Sequence, residues 1–412
     1  STESKKVMPY TFYTDVFEEL KKDNKVNVRD DLSFSSLMSL YCSNVYNGRK
    51  KLFQKINKRF QMIENFPELY RIASEFHTEV SQIPQIETVI TTNWDCLFED
   101  NCDMFPIIYN EDAALWDTFE KRVFKIHGSI KNLGSIIATD ADYGNCYLKL
   151  STKPIGDRLK TILSTKTVVF IGFSFGDEDL NKIIEILSDD LGQFANQFYL
   201  VTIDEKWLDN HPENIIPIIT DGTYFVNSLK KELIKRKIIF DSELYQFTEY
   251  ANDTLVNEHV KWMDDKKFHK ILQEYPELLL SIAYQDGLIH AFQRCHADKK
   301  SGRMLMPQNI HKVVRSYLLL YNQRMNENEY LRAYYDRGYS DGFLALEMFA
   351  CGKSKDALLP PMFFFEEENF VDLESLLSYL KDNRNQKLYK YCKEKVTLYK
   401  NGVIPHFMPW FC

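Results

Sequence analysis

The stretch TKTVVFIGFSFGDEDL, residues 165–180, decides the fold class. Thr165–Phe173 is the strongest strand pattern in the chain, a β-branched and aromatic run of the kind that is buried on both faces of a parallel sheet. Gly172–Gly176, GFSFG, then turns that strand into the helical stretch Asp179–Leu187. Working outward, IETVITT (86–92), FPIIY (105–109) and RVFKI (122–126) precede it as further strands, and QFYLVTI (197–203) and GTYFV (222–226) follow. Helical stretches Ile155–Leu163 and Leu229–Arg236 lie between strands. Buried strands alternating with helices predict an α/β fold with a doubly wound, parallel, Rossmann-like sheet.

The flanks read differently. Residues 1–85 are mostly helical in pattern, with Phe12, Val16, Phe17 and Leu20 near helical spacing. One of Ser33, Ser35 and Ser36 is expected to cap the helix that carries Leu37, Leu40 and Tyr41. From about Phe240 the strand pattern fades and amphipathic helices take over, among them Leu278–His296, Ile310–Met325, Glu329–Ala350, Leu373–Lys381 and Lys387–Lys395. EEEN (366–369) reads as a solvated acidic turn. The expected division is therefore an α/β domain over 1–239 and a helical domain over 240–412, resting on the change of periodicity.

Composition narrows the function classes. The chain has 412 residues, 51 Lys+Arg against 59 Asp+Glu and a net charge of -8, which argues against a whole-chain nucleic-acid binder. No apolar run reaches the length of a bilayer span, and no secretory signal is visible. The eight cysteines are scattered without a CxxC pair, the pattern of reduced thiols in a cytosol rather than of a zinc ribbon. Only 15 glycines beside 14% aromatic residues suggest a helix-rich molecule with large packed side chains.

Three short motifs sit at strand ends: TTNWD (91–95), KIHGS (125–129) and GFSFGDEDL (172–180). In an open parallel sheet the C-terminal strand edges form the ligand crevice, so parallel strands would bring all three to one place. GFSFG suits phosphate binding at a helix N-terminus, with Asp177 or Asp179 as the alternative helix cap. GxSxG also matches a nucleophile elbow with Ser174 as nucleophile, but His211, His259 and His269 do not follow strands as that chemistry needs. His127 can take a proton from a ribose hydroxyl or from water, and the Asn93 amide can orient a water. Asp95 either fixes its turn or contacts a ligand. No group of residues has metal-ligand spacing.

These residues carry a resemblance. TTNWD resembles the T-x-N-x-D motif of sirtuins, and KIHGS resembles their histidine–glycine motif. VVFIGFSFGDEDL is similar to the strand and Gly-Ser turn that bind NAD in bacterial sirtuin-like defence proteins. ATDADYGNCY (138–147) is similar to the segment that follows the histidine in that branch, and FYLVTID (198–204) to the strand contacting the adenosine half. The resemblance covers about residues 1–235. The four-cysteine zinc module of deacetylating sirtuins is missing, which turns the implied activity from protein deacylation to NAD hydrolysis. The family's G-A-G-x-S loop is also missing; its place would be at or before Ser1, so the first strand and loop are expected to be absent from this chain.

The resemblance implies an NAD-depleting effector of antiphage defence that cleaves the nicotinamide–ribose bond without a metal. Asn93 and His127 would be catalytic. Thr92, Asp95, Gly172, Ser174 and Asp204 would bind NAD. The helical C-terminal half would serve assembly or regulation in a cytoplasmic homo-oligomer, with a HerA-type ATPase as a possible partner and neither nucleic acid nor membrane bound directly. The rival expectations are a catalytically silent NAD- or ADP-ribose-sensing scaffold and, disfavoured by the missing cysteines, a deacylase.

Overall fold

The computed structural model describes residues 12–22, 29, 32–173, 197–209, 211–263, 267–352, 359–398 and 406–409. The expected helix Asp179–Leu187, and with it Ser174, Asp177 and Asp179, lies outside these residues. The chain divides into two compact units: residues 1–81 with 85–229, and residues 82–84 with 230–412.

The first unit opens with α1 (Phe12–Lys22), α2 (Phe34–Asn44), α3 (Gly48–Glu64) and α4 (Pro67–Ser81). Ser33 caps α2, its side chain accepting the Ser36 N–H at 3.2 Å. Strand β1 (Thr88–Thr91), α5 (Leu97–Cys102), β2 (Phe105–Ile107) and β3 (Arg122–Lys125) follow. Next come α6 (Asp140–Thr152), α7 (Pro154–Thr165) and β4 (Val168–Ile171). The unit closes with β5 (Phe198–Thr202), the short α8 (Lys206–Asp209), β6 (Ile215–Ile219) and the first part of α9 (Gly222–Lys235).

All pairings among β1–β6 are parallel, as expected, but they form two three-stranded ladders, β1-β3-β2 and β4-β5-β6, among the described residues. A shared core of Ile107, Phe124, Phe170, Phe198 and Leu200 draws side chains from both ladders. A second core, with Leu37, Met38, Tyr41, Leu52 and Ile56, buries the N-terminal helices against Cys96, Ile130 and Ile136, which lie just beyond β1 and β3. The helical cap thus holds the loops at those two strand ends.

Two expectations are corrected here. GTYFV (222–226) is the first turn of α9, not a strand: the Asp221 carboxylate accepts the N–H groups of Thr223 and Tyr224 at 2.9 and 3.0 Å and caps the helix. The last strand of the two ladders is instead IIPII (215–219), which among the described residues pairs only with β5. Pro217 fits there because β6 lies at the edge of its ladder among the described residues.

The second unit is largely helical: α10 (Glu243–Met263), α11 (Phe268–Glu274), α12 (Leu278–Ala297), α13 (Pro307–Asn326), α14 (Tyr330–Ala350), α15 (Leu373–Asp382) and α16 (Gln386–Leu398). Its core is built on α12 and α14, whose aromatic residues Tyr284, Phe292, Tyr334, Tyr339 and Phe343 are buried. A Cβ on Gly287 would overlap the Tyr335 carbonyl and one on Gly338 the Tyr284 carbonyl, so the two backbones meet where side chains are missing. The acidic stretch at 366–369 is more than a solvated turn. It joins strands β7 (Phe363–Phe365) and β8 (Glu368–Phe370), with Glu366 and Glu367 at φ 46° and 69°, and Glu367 pairs with Arg337 at 2.8 Å.

Candidate active site

β1 and β3 are neighbours in parallel register, with Thr91 opposite Lys125. Asn93 and His127 therefore each stand two residues beyond a paired position, on one edge of the ladder. Backbone hydrogen bonds continue past the strands: Ile126 N–H donates to Thr91 O at 3.0 Å, and Ile130 N–H to Trp94 O at 2.8 Å. Side chains add to the stitching. Lys125 Nζ, 1% exposed, donates to the Asp95 carbonyl and to Glu99 Oε1, the latter at 3.0 Å. Cys96 Sγ lies 3.5 Å from Ser129 Oγ. TTNWD and KIHGS are thus two halves of one rigid loop pair.

His127 is buried, 3% exposed, and its ring meets the Tyr143 ring edge-on at 4.9 Å and 70°. Its carbonyl accepts the Ile137 N–H at 3.0 Å. The chain reverses immediately after it, through Gly128 at φ +84°, and Ser129 N–H donates to Ser135 Oγ at 3.0 Å. Tyr143 is held by the start of α6, a capping box in which Thr139 and Asp142 exchange hydrogen bonds. Asp142 also binds Arg49 at 2.7 Å. Burial alone raises the Asp142 pKa, but hydrogen bonds from Arg49, Thr139 and Ala138 outweigh it and hold the carboxyl below its usual value.

Asn93 is exposed, with its backbone N–H fixed on Thr91 Oγ1 at 3.0 Å. Thr92 is half-buried beside it. Asp95 Oδ1 accepts the Leu97 N–H at 3.0 Å, so this carboxylate shapes the turn into α5. The same construction recurs on the second ladder. Asp204 N–H donates to Thr202 Oγ1 at 3.2 Å, and Asp204 Oδ1 accepts the Lys206 N–H at 3.1 Å, starting α8. Gly172, at φ +85°, follows β4 and donates its N–H to Val201 O at 3.3 Å. Asn93 and His127 therefore share one strand edge, whereas Gly172 and Asp204 end strands of the other ladder. An open depression lined by Asn110, Glu111, Asp157 and Arg158 includes none of these residues.

Two contributions escaped the sequence reading. The Tyr143 ring faces His127 from α6, although the segment holding it was singled out. The buried Lys125–Glu99 pair crosses between β3 and α5, and a lysine inside a strand was its only visible sign.

Residues 87–216 match the family model described as a SIR2-like domain, a span that includes every candidate residue. The chain is 31% identical over 153 residues to the NAD(+) hydrolase ThsA of Enterococcus faecium, covering 36% of this chain and 30% of that protein. It is 25% identical over 237 residues to the NAD(+) hydrolase ThsA of Bacillus cereus, covering 56% and 48%. It is 30% identical over 160 residues to the Defense-associated sirtuin 2 of Bacillus subtilis, covering 36% and 16%. The match spans less than half the length of each of these relatives. Among the described residues, no helix is long and apolar enough to cross a membrane.

Proposed function

We propose that this chain hydrolyses NAD at the nicotinamide–ribose bond and acts as an NAD-depleting effector of antiphage defence. The observation that carries the proposal is the union of TTNWD and KIHGS at the ends of paired parallel strands inside a SIR2-like domain. Relatives named as NAD(+) hydrolases support the same chemistry.

In this proposal the nicotinamide leaves from an oxocarbenium-like ribose. The exposed Asn93 amide orients the attacking water. His127, held between the strand end and Tyr143, takes the proton from that water or from a ribose hydroxyl. Thr92, Gly172, Ser174 and Asp204 bind the rest of NAD; Asp95 acts mainly through the turn that presents Asn93. No metal enters the reaction. The helical second unit serves assembly or regulation in a cytoplasmic homo-oligomer, with a HerA-type ATPase as its candidate partner, a role supported by the exposed Leu318, Leu319 and Leu344 on α13 and α14.

The test is nicotinamide release from NAD by the protein, alone and with candidate partners, beside His127→Ala and Asn93→Ala. Loss of about 10²-fold or more in each variant is expected. Release unaffected by either variant would remove the site assignment. NAD or ADP-ribose binding without release under any condition would favour the silent sensor, and release confined to acetyl-lysine peptides would favour the deacylase.

A further inference from the structure

We propose that His259, Asp286 and His406 form a binding site for a divalent transition-metal ion of the zinc class in the second unit. The three residues come from α10, from α12 and from the segment 406–409, and one ligand atom of each lies within 4.8 Å of the others. Their sequence spacing gives no hint of this; only the fold assembles them.

The donor set is specific. Two imidazoles with one carboxylate suit zinc and its first-row neighbours, whereas calcium and magnesium take oxygen ligands. His406 Nδ1 is 2.9 Å from Asp286 Oδ1, and the His259 and His406 rings cross at 5.3 Å and 75°. Donors bound tetrahedrally at zinc lie about 3.4 Å apart, so no separation has to close by more than about 1.4 Å. His259 and Asp286 are 8% and 5% exposed, while the His406 side chain is 39% exposed. Two of the ligands are thus buried and the third is partly open to solvent, so a water could complete a four-coordinate set.

The surroundings fix the histidine tautomer. The Gln285 amide nitrogen donates to the Met362 carbonyl at 2.9 Å, which turns Gln285 Oε1 toward His259. That oxygen, 2.6 Å from His259 Nδ1, can only accept, so Nδ1 carries the proton and Nε2 keeps its lone pair. A second ring nitrogen donating to a carbonyl is the usual support of a metal-bound histidine. On His406 an Nδ1–H is donated to the Asp286 carboxylate; coordination by that nitrogen puts the cation in its place and needs the neutral ring with its proton on Nε2, so a neutral ring moves its proton there and an imidazolium gives one proton to solvent. Phe407 reinforces the arrangement, its N–H donating to Asp286 Oδ2 at 2.9 Å and its ring lying 4.7 Å from Tyr335. A bound ion would tie segment 406–409 to α10 and α12.

The full-length chain, stripped with a chelator and dialysed against Zn(II) or Co(II), should retain a single equivalent and show tetrahedral Co(II) absorption without thiolate charge-transfer bands. His406→Gln lies outside every helix and leaves the core intact; it should weaken retention by about a hundredfold, and Gln285→Leu by about 10- to 100-fold. Circular dichroism checks that each variant remains folded. Failure of the wild type to retain either metal, retention unchanged in His406→Gln, or thiolate bands in the Co(II) spectrum would each overturn the site.

Discussion

At residue 128 the backbone turns with φ +84°, and a Cβ there would run into the carbonyl of Ser135. At residue 172 φ is similar, +85°, yet among the described residues no atom lies within 4 Å of an added Cβ. The pair separates two causes of glycine preference. Gly172→Ala should cost only the backbone term, about 1–2 kcal/mol. Gly128→Ala adds a clash with a main chain that cannot swing aside and should cost more than about 3 kcal/mol. Urea unfolding of the two variants checks this; equal costs would mean the Ser135 loop yields. At this scale the strand-end motifs were plain in the sequence, because Asn93 and His127 directly follow runs that read as strands. Tyr143 was not, because a tyrosine's neighbour is set by the packing of α6 and not by its own segment.

At the scale of elements, α6 is held at its N-terminus by Asp142, which accepts from Thr139, Ala138 and Arg49. Asp142→Ala should cost about 1–2 kcal/mol near neutral pH. The sign of the pH dependence follows from the lowered pKa. A carboxyl whose folded pKa lies below its unfolded value stabilises fully above the unfolded value and loses that contribution as pH falls through the folded one. The gap in unfolding free energy between wild type and Asp142→Ala should therefore stay constant above about pH 5 and narrow once the pH drops below 3.8. A gap that is flat down to pH 2 would show that the charge contributes nothing. Elements also mark where local patterns mislead. GTYFV has strand composition, but one capping aspartate ahead of it starts a helix; IIPII looks broken by proline, but an edge strand tolerates it.

For the whole molecule, the cores of the two units are built from different residues. Gly338→Ala would force α12 and α14 apart in the second unit and should destabilise it by about 1–3 kcal/mol. Scanning calorimetry of the full chain should then show one transition moved down and one unmoved. A single transition that shifts as a whole would mean the units unfold together.

The first five strands, their parallel direction, the Ser33 cap and the change of texture toward the helical half were legible in the sequence; the sixth strand was not, because GTYFV read as a strand in place of IIPII. Each depends on periodicity or on a cap within a few residues. What the tertiary structure alone decided involves residues far apart in the chain: the split of the strands into two ladders, Tyr143 against His127, Lys125 beside Glu99, the glycine crossing of α12 and α14, and His406 beside His259 and Asp286. The physical reason is range. Propensity and hydrogen-bonded caps act over one turn or one strand, whereas packing selects its partners by shape and burial once the chain has folded back on itself.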